Sequence, residues 1–92
     1  MIRSFGDRRT RRFFEGQRVA AFQRFAEQAT RRLTLLDSAA ALQDLAALPS
    51  NRLEALRGDR AGHHSIRINP QWRLCFRWEA DGPYDVEIVD YH

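Results

Sequence analysis

The stretch 72-WRLCFRWEADGPYDVEIVDYH-92 decides the fold. Its first seven residues alternate: Trp72, Leu74, Phe76 and Trp78 fall on one side, Arg73, Cys75 and Arg77 on the other. A period of two with one apolar side is the mark of a strand that buries one face. EADGP (79–83) places Asp-Gly at the centre of a hairpin loop. YDVEIVDYH (84–92) then resumes the alternation. It predicts Tyr84, Val86 and Ile88 on one face, with Asp90 and His92 following them. Asp85, Glu87, Val89 and Tyr91 fall on the other.

The same period extends upstream. HHSIRI (63–68) sets Ile66 and Ile68 against Ser65 and Arg67, and Asn69-Pro70 makes a turn. RLEAL (52–56) reads as a short strand, with Arg52, Glu54 and Leu56 on one side, and RGDRAG (57–62) as a turn. Pro49-Ser50-Asn51 marks the change of period. Before it, Phe22, Ala26, Ala29, Leu33 and Leu36 follow one helical face, widened by Phe25, and predict a helix over 20–36. Asp7 is placed to cap a basic helix from Arg8 to about Glu15, ended by Gly16. Asp37 or Ser38 is expected to cap a third, short helix, AAALQDL, and MIRSF (1–5) to form a short edge strand. Helices followed by strands joined through tight turns define an α+β fold: a short N-terminal strand and helices packed on one face of a C-terminal antiparallel sheet. Residues 1–92 are enough for one core and are expected to form a single domain.

Composition narrows the class. One cysteine, Cys75, excludes an intramolecular disulfide and is expected as a small buried hydrophobe in a reducing, cytoplasmic setting. No apolar run reaches the roughly 20 residues of a membrane span, and MIRSFGDRR lacks the apolar segment of a secretory signal. His63 and His64 are strand neighbours, point to opposite faces and cannot share one metal ion, so neither metal nor cofactor is expected. All fifteen basic residues are arginine, which fits either GC-rich coding or phosphate recognition by the guanidinium fork. Residues 1–36 hold nine Arg against three acids, a net of +6, and residues 37–92 six against nine, a net of −3. A basic first third is the footprint of a nucleic-acid or acidic partner, or else a solvated helix surface.

The chemistry gathers at Asp90-Tyr91-His92. Histidine titrates nearest neutrality and suits proton transfer to a leaving oxygen, and a phenol ring can stack on a base. Arg73 and Arg77 lie on the neighbouring strand, and Arg57 and Arg60 on the turn after residue 56. Guanidinium groups there would stabilise the extra charge of a pentacovalent phosphate. A terminal histidine that is simply exposed is the plainer reading of the same residues.

The chain as a whole resembles the HigB toxins, the plasmid-maintenance killer proteins of the RelE/ParE superfamily. The resemblance is carried by MIRSF, by NRLEALRGDRAGHHSIRIN (51–69), by QWRLCFRW (71–78) and by the closing YDVEIVDYH, in this order and spacing. It implies the toxin of a type II toxin-antitoxin system: a ribosome-dependent endoribonuclease that cleaves mRNA in the ribosomal A site without a metal. It also implies a HigA-type antitoxin with a helix-turn-helix domain, through which alone the complex reaches operator DNA. Carried over by position, the catalytic set is His92, Tyr91, Asp90, Arg73 and Arg57. Relatives often have Lys at the position of Arg57, and some have a second active-site histidine where this chain has Glu54. Glu54 is then either a general base or one half of a strand-face ion pair. Arg60, Arg67, Arg77, Arg3, Arg8, Arg9, Arg11 and Arg12 are expected to hold RNA or the ribosome. Two alternatives stay open: a ParE-like toxin that inhibits gyrase by binding, since fold does not fix function, and a module that binds nucleic acid through its basic helices alone.

Overall fold

A computed structural model describes residues 1–90, so Tyr91 and His92 lie outside the described residues. Three helices, α1 (Arg8–Phe14), α2 (Ala26–Ser38) and α3 (Leu42–Ala46), precede four strands, β1 (Glu54–Ala55), β2 (His63–Arg67), β3 (Trp72–Glu79) and β4 (Gly82–Asp90). The strands form one antiparallel sheet in the order β1-β2-β3-β4. The fold is α+β, as the change of period requires.

The register divides the sheet into two faces. Ile66, Leu74 and Ile88 stand in one row across β2, β3 and β4. Together with Phe76 and Val86 they pack against Phe22, Phe25, Ala29, Leu33, Leu36 and Leu45 in a single buried cluster. The helical stripe from Phe22 to Leu36 thus meets the apolar face of the sheet. Its first turns are tighter than an α-helix: Ala20–Phe25 is a 3-10 segment, and α2 proper begins at Ala26. Trp72 closes the end of the core, with its ring centroid 5.0 Å from that of Phe25 and 5.8 Å from that of Phe22.

α1 seals the outer edge of β4. The Asp7 carboxylate caps the helix by accepting from the Thr10 N–H at 2.8 Å. The buried Thr10 hydroxyl accepts from the Ile88 N–H at 3.0 Å, which satisfies a backbone donor no further strand can reach.

Three local expectations are corrected. MIRSF is not a strand of its own. It runs beside β4 as an isolated parallel bridge, Phe5 to Val86, with Val86 N–H donating to Ser4 O and Gly6 N–H to Val86 O. The reason is an irregularity in β4: Asp85 takes a left-handed φ of 55°, and the register slips between Cys75 and Arg77. This bulge limits the regular edge open to pairing. It also turns Tyr84 to the other face, where it stands opposite Arg77 and its ring lies 4.9 Å from that guanidinium, rather than with Val86 and Ile88. The third concerns α3, which begins at Leu42, not at Asp37 or Ser38. Asp44 reaches back to accept from the Ala40 and Ala41 N–H groups, while Asp37 is engaged by the Ile2 N–H at 2.8 Å.

Candidate active site

The second face of the sheet carries the polar side chains. Glu54, Ser65, Cys75 and Glu87 form one row across all four strands, and Arg67, Arg73 and Val89 the next. The segment after β1 folds over this face and closes a cavity of about 220 Å³ lined by Leu56, Arg57, Arg60, Cys75 and Val89. Cys75 lines it and is buried, as expected; burial pushes its thiol pKa up, which disfavours the nucleophilic thiolate.

Arg73 is the best-fixed side chain here, with only 6% of its surface exposed. Its Nε donates to the Ser65 hydroxyl at 2.8 Å, and Nη2 donates to the carbonyls of Ser65 and Arg52. The Glu54 carboxylate lies 3.7 Å from Nη1. Burying a guanidinium is costly, and acceptors on several sides offset that cost and keep it in one orientation. Arg57 stands at the start of the tight turn Gly58–Arg60 and lines the cavity, and Arg60 bonds Glu87 at 3.0 Å across the sheet.

Asp90 ends β4 in register with Trp72, one rung beyond Val89 and Arg73, and accepts from the Gln71 amide at 3.1 Å. Arg73, Arg57, Arg60 and Glu54 are therefore gathered on one face, and Asp90 marks the end of the strand beside them. The two remaining expected residues, Tyr91 and His92, lie outside the described residues.

The RNA-binding set divides. Arg67 is in register with Arg73. Arg77 and Arg3 stand at the opposite, hairpin end. Arg77 is paired there with Glu79 and Asp85, which raise its pKa, and Arg3 lies 3.9 Å from Asp81 and donates to its carbonyl. Tyr84 donates to Asp81 at 2.6 Å, a bond that holds the carboxyl below its usual range and the phenol above its own. Arg9 lies over the Phe22 ring at 5.0 Å, while Arg8, Arg9 and Arg12 border a shallow hollow at the foot of α1 with Arg18. Sequence reading missed Ser65 and Arg52 as holders of Arg73. The signal for Ser65 was present, since alternation across the Asn69-Pro70 turn puts it on Arg73's face. Arg52 acts through its backbone carbonyl, which no side-chain pattern announces.

Among the described residues no three His, Cys, Asp or Glu side chains cluster as metal ligands, and no helix is long and apolar enough to cross a membrane.

Comparison with known proteins gives the family and the fold. Residues 3–92 match the model of the HigB-like toxins, described as RelE-like toxins of type II toxin-antitoxin systems. The chain belongs to that family. Toxin HigB-1 of Vibrio cholerae serotype O1 is 45% identical over 62 residues, a match spanning 67% of this chain and 64% of that protein. Endoribonuclease HigB of Proteus vulgaris is 29% identical over the full length of both. Among solved structures, YafQ from Escherichia coli strain BL21(DE3) aligns with a TM-score of 0.64 at 15% identity, over 98% of this chain and 91% of that one. The YoeB-YefM complex from Staphylococcus aureus aligns with a TM-score of 0.62 at 18% identity, over 100% and 98%. At that identity the likeness is one of fold.

Proposed function

We propose that this toxin is an endoribonuclease that cuts mRNA on the ribosome, in the A site, and so arrests translation in the cytoplasm. One observation carries the reading: Arg73, buried and fixed from several sides, flanks an arginine-rimmed cavity at the end of β4. Fixed cations of this kind stabilise charge that develops on a phosphoryl group at no cost of reorganisation. The 2′-hydroxyl is the nucleophile, His92 the general acid or base, and Asp90 and Tyr91 orient the site and the nucleotide. Arg73 and Arg57 hold the developing charge. Glu54 either takes the 2′-hydroxyl proton or only pairs with Arg73. None of these steps calls for a metal ion. The ribosome aligns the strand, and alignment alone can supply several kcal/mol of a barrier. The whole chain acts as one domain. Its partner is a HigA-type helix-turn-helix antitoxin that docks on the helical side, with operator DNA reached only through it.

The test is cell-free translation of a defined mRNA with and without ribosomes, wild type against His92→Gln, with ends mapped by primer extension. Cleavage that needs ribosomes and falls by about 10²–10⁴ in the variant supports the reading. A variant that cuts normally moves the proton transfer to Glu54. A wild type that never cuts, yet blocks gyrase supercoiling at low stoichiometry, overturns it in favour of a gyrase-binding toxin.

A further inference from the structure

A second arginine cluster lies around the corner from Arg73. A cavity of about 530 Å³ opens between α2, the loop 49–52 and the turn joining β2 to β3, and is lined among others by Gln28, Arg32, Ser50, Arg52, Arg67 and Asn69. Three of these are cations and none of the lining residues is a carboxylate. Four arginines outside this cavity, Arg3, Arg60, Arg73 and Arg77, each have an acid within ion-pair distance. Among the described residues Arg32, Arg52 and Arg67 have none.

The cluster is also built. Asn51 is fully buried, donates to the Leu45 carbonyl at 3.0 Å, and accepts from the Arg32 guanidinium through its other amide atom. A buried side chain thus fixes the direction of Arg32. Burial and the neighbouring Arg31 act against the Arg32 charge, a cost that a bound anion offsets. Arg52 is held in a left-handed conformation, φ 45°, by its N–H bond to Pro49 O and by the bond its carbonyl receives from Arg73. Its carbonyl therefore belongs to the Arg73 site while the residue also lines this cavity. Arg67 is in register with Arg73. The two sites share a wall.

From this geometry we infer that the Arg32–Arg52–Arg67 cavity binds phosphates of an RNA backbone, one or more nucleotides away from the phosphate held at Arg73. The inference rests on the RNA-cutting reading above and adds to it a path for the strand. Guanidinium forks match phosphate oxygens two at a time, and the Ser50, Gln28 and Asn69 side chains are neutral hydrogen-bonding groups suited to the same backbone. The RNA is either the message itself or ribosomal RNA lying beside it.

The experiment uses the full chain and two probes: a 2′-O-methyl oligoribonucleotide, which cannot be cut, and isolated ribosomes. Arg67→Gln, Arg52→Gln and the double variant are compared with Arg24→Gln, which lies outside this cavity. The Arg52 and Arg67 side chains make no hydrogen bond among the described residues, so Arg67→Gln leaves the fold intact even if the Arg52 backbone proves sensitive. The double variant is expected to bind about tenfold more weakly. Its salt dependence should flatten by about 0.7 in log–log slope for each phosphate of a single strand that is no longer neutralised. Weakening on the oligoribonucleotide identifies the message, and weakening on ribosomes alone identifies ribosomal RNA; either supports the inference. Variants that match Arg24→Gln on both probes, while wild type still cuts mRNA, overturn this cavity and leave the activity standing. A wild type that neither binds nor cuts RNA overturns both.

Discussion

Arg73 holds a full cation at 6% exposure, so its neighbours decide whether it stays. The Ser65 hydroxyl is the acceptor for Nε, and Ser65 is itself wholly buried. Ser65→Ala removes one acceptor from a desolvated charge and is expected to cost about 1–3 kcal/mol, read as a lower urea midpoint. Arg73→Lys keeps the charge but loses the fork that engages Ser65 and Arg52 together. In the cleavage assay it is expected to lose at least about tenfold, because a point charge on a flexible stem no longer has one orientation; unchanged activity would remove Arg73 from the site. His64 gives a different readout. Its pKa lies below the ordinary 6.5, first through burial and then through the His63 charge. Below that ordinary value the unfolded chain therefore binds more protons than the folded one, and stability falls with pH. The loss begins as pH drops through about 6.5 and ends once the folded value is passed. In His64→Gln the urea midpoint should differ less between about pH 5 and pH 7.5 than in wild type.

At the scale of elements, the edge of β4 depends on two small contacts. Thr10→Val keeps the shape of the side chain but leaves the Ile88 N–H without its acceptor, and about 1–3 kcal/mol is expected to be lost in urea unfolding. Gly6 sits so close to β4 that a Cβ would come within 2.9 Å of the Asp85 carbonyl and 3.1 Å of the Glu87 carboxylate. Gly6→Ala must therefore push residues 1–6 off the strand. The expected outcome is a loss of about 1–3 kcal/mol, with amide exchange rising first at Val86 and Gly6. This edge is also where the sequence was least legible. The helical stripe from Phe22 to Leu36 and the alternation from Trp72 to Trp78 were readable because one periodic signal repeats along each. The bulge at Asp85 was not. A left-handed residue inside a strand leaves no periodic trace, and Asp tolerates that conformation without a glycine to flag it. One such residue reversed the expected side of Tyr84 and reduced MIRSF from a strand to a bridge. For the site, alternation put Arg73 on the correct face. Its burial involves the edge of the sheet at β1, where the Arg52 carbonyl and the Glu54 carboxylate meet its guanidinium, and no local pattern carries that.

At the scale of the molecule, the arginines divide by whether a carboxylate sits beside them. At the hairpin end Arg3 and Arg77 are matched by Asp81, Glu79 and Asp85, so no positive charge is left in excess there. On α1, Arg8, Arg11 and Arg12 follow one another with no acid in the first turn, and no ion pair engages them among the described residues. Uncancelled charge of one sign acts over about 8 Å at physiological salt and steers a polyanion before contact. The two groups therefore predict different effects on encounter with a ribosome. Replacing Arg8, Arg11 and Arg12 by Gln should lower kcat/KM for mRNA cleavage most at about 50 mM salt, by about tenfold or more. The deficit should shrink towards about 200 mM, with kcat little changed, because only the encounter is affected. Arg77→Gln removes a charge already matched, so its salt dependence should stay close to that of wild type. The check is cleavage kinetics on translating ribosomes across that salt range. If Arg77→Gln instead flattened the profile as much as the α1 set, total charge would govern the encounter and the placement of the carboxylates would not.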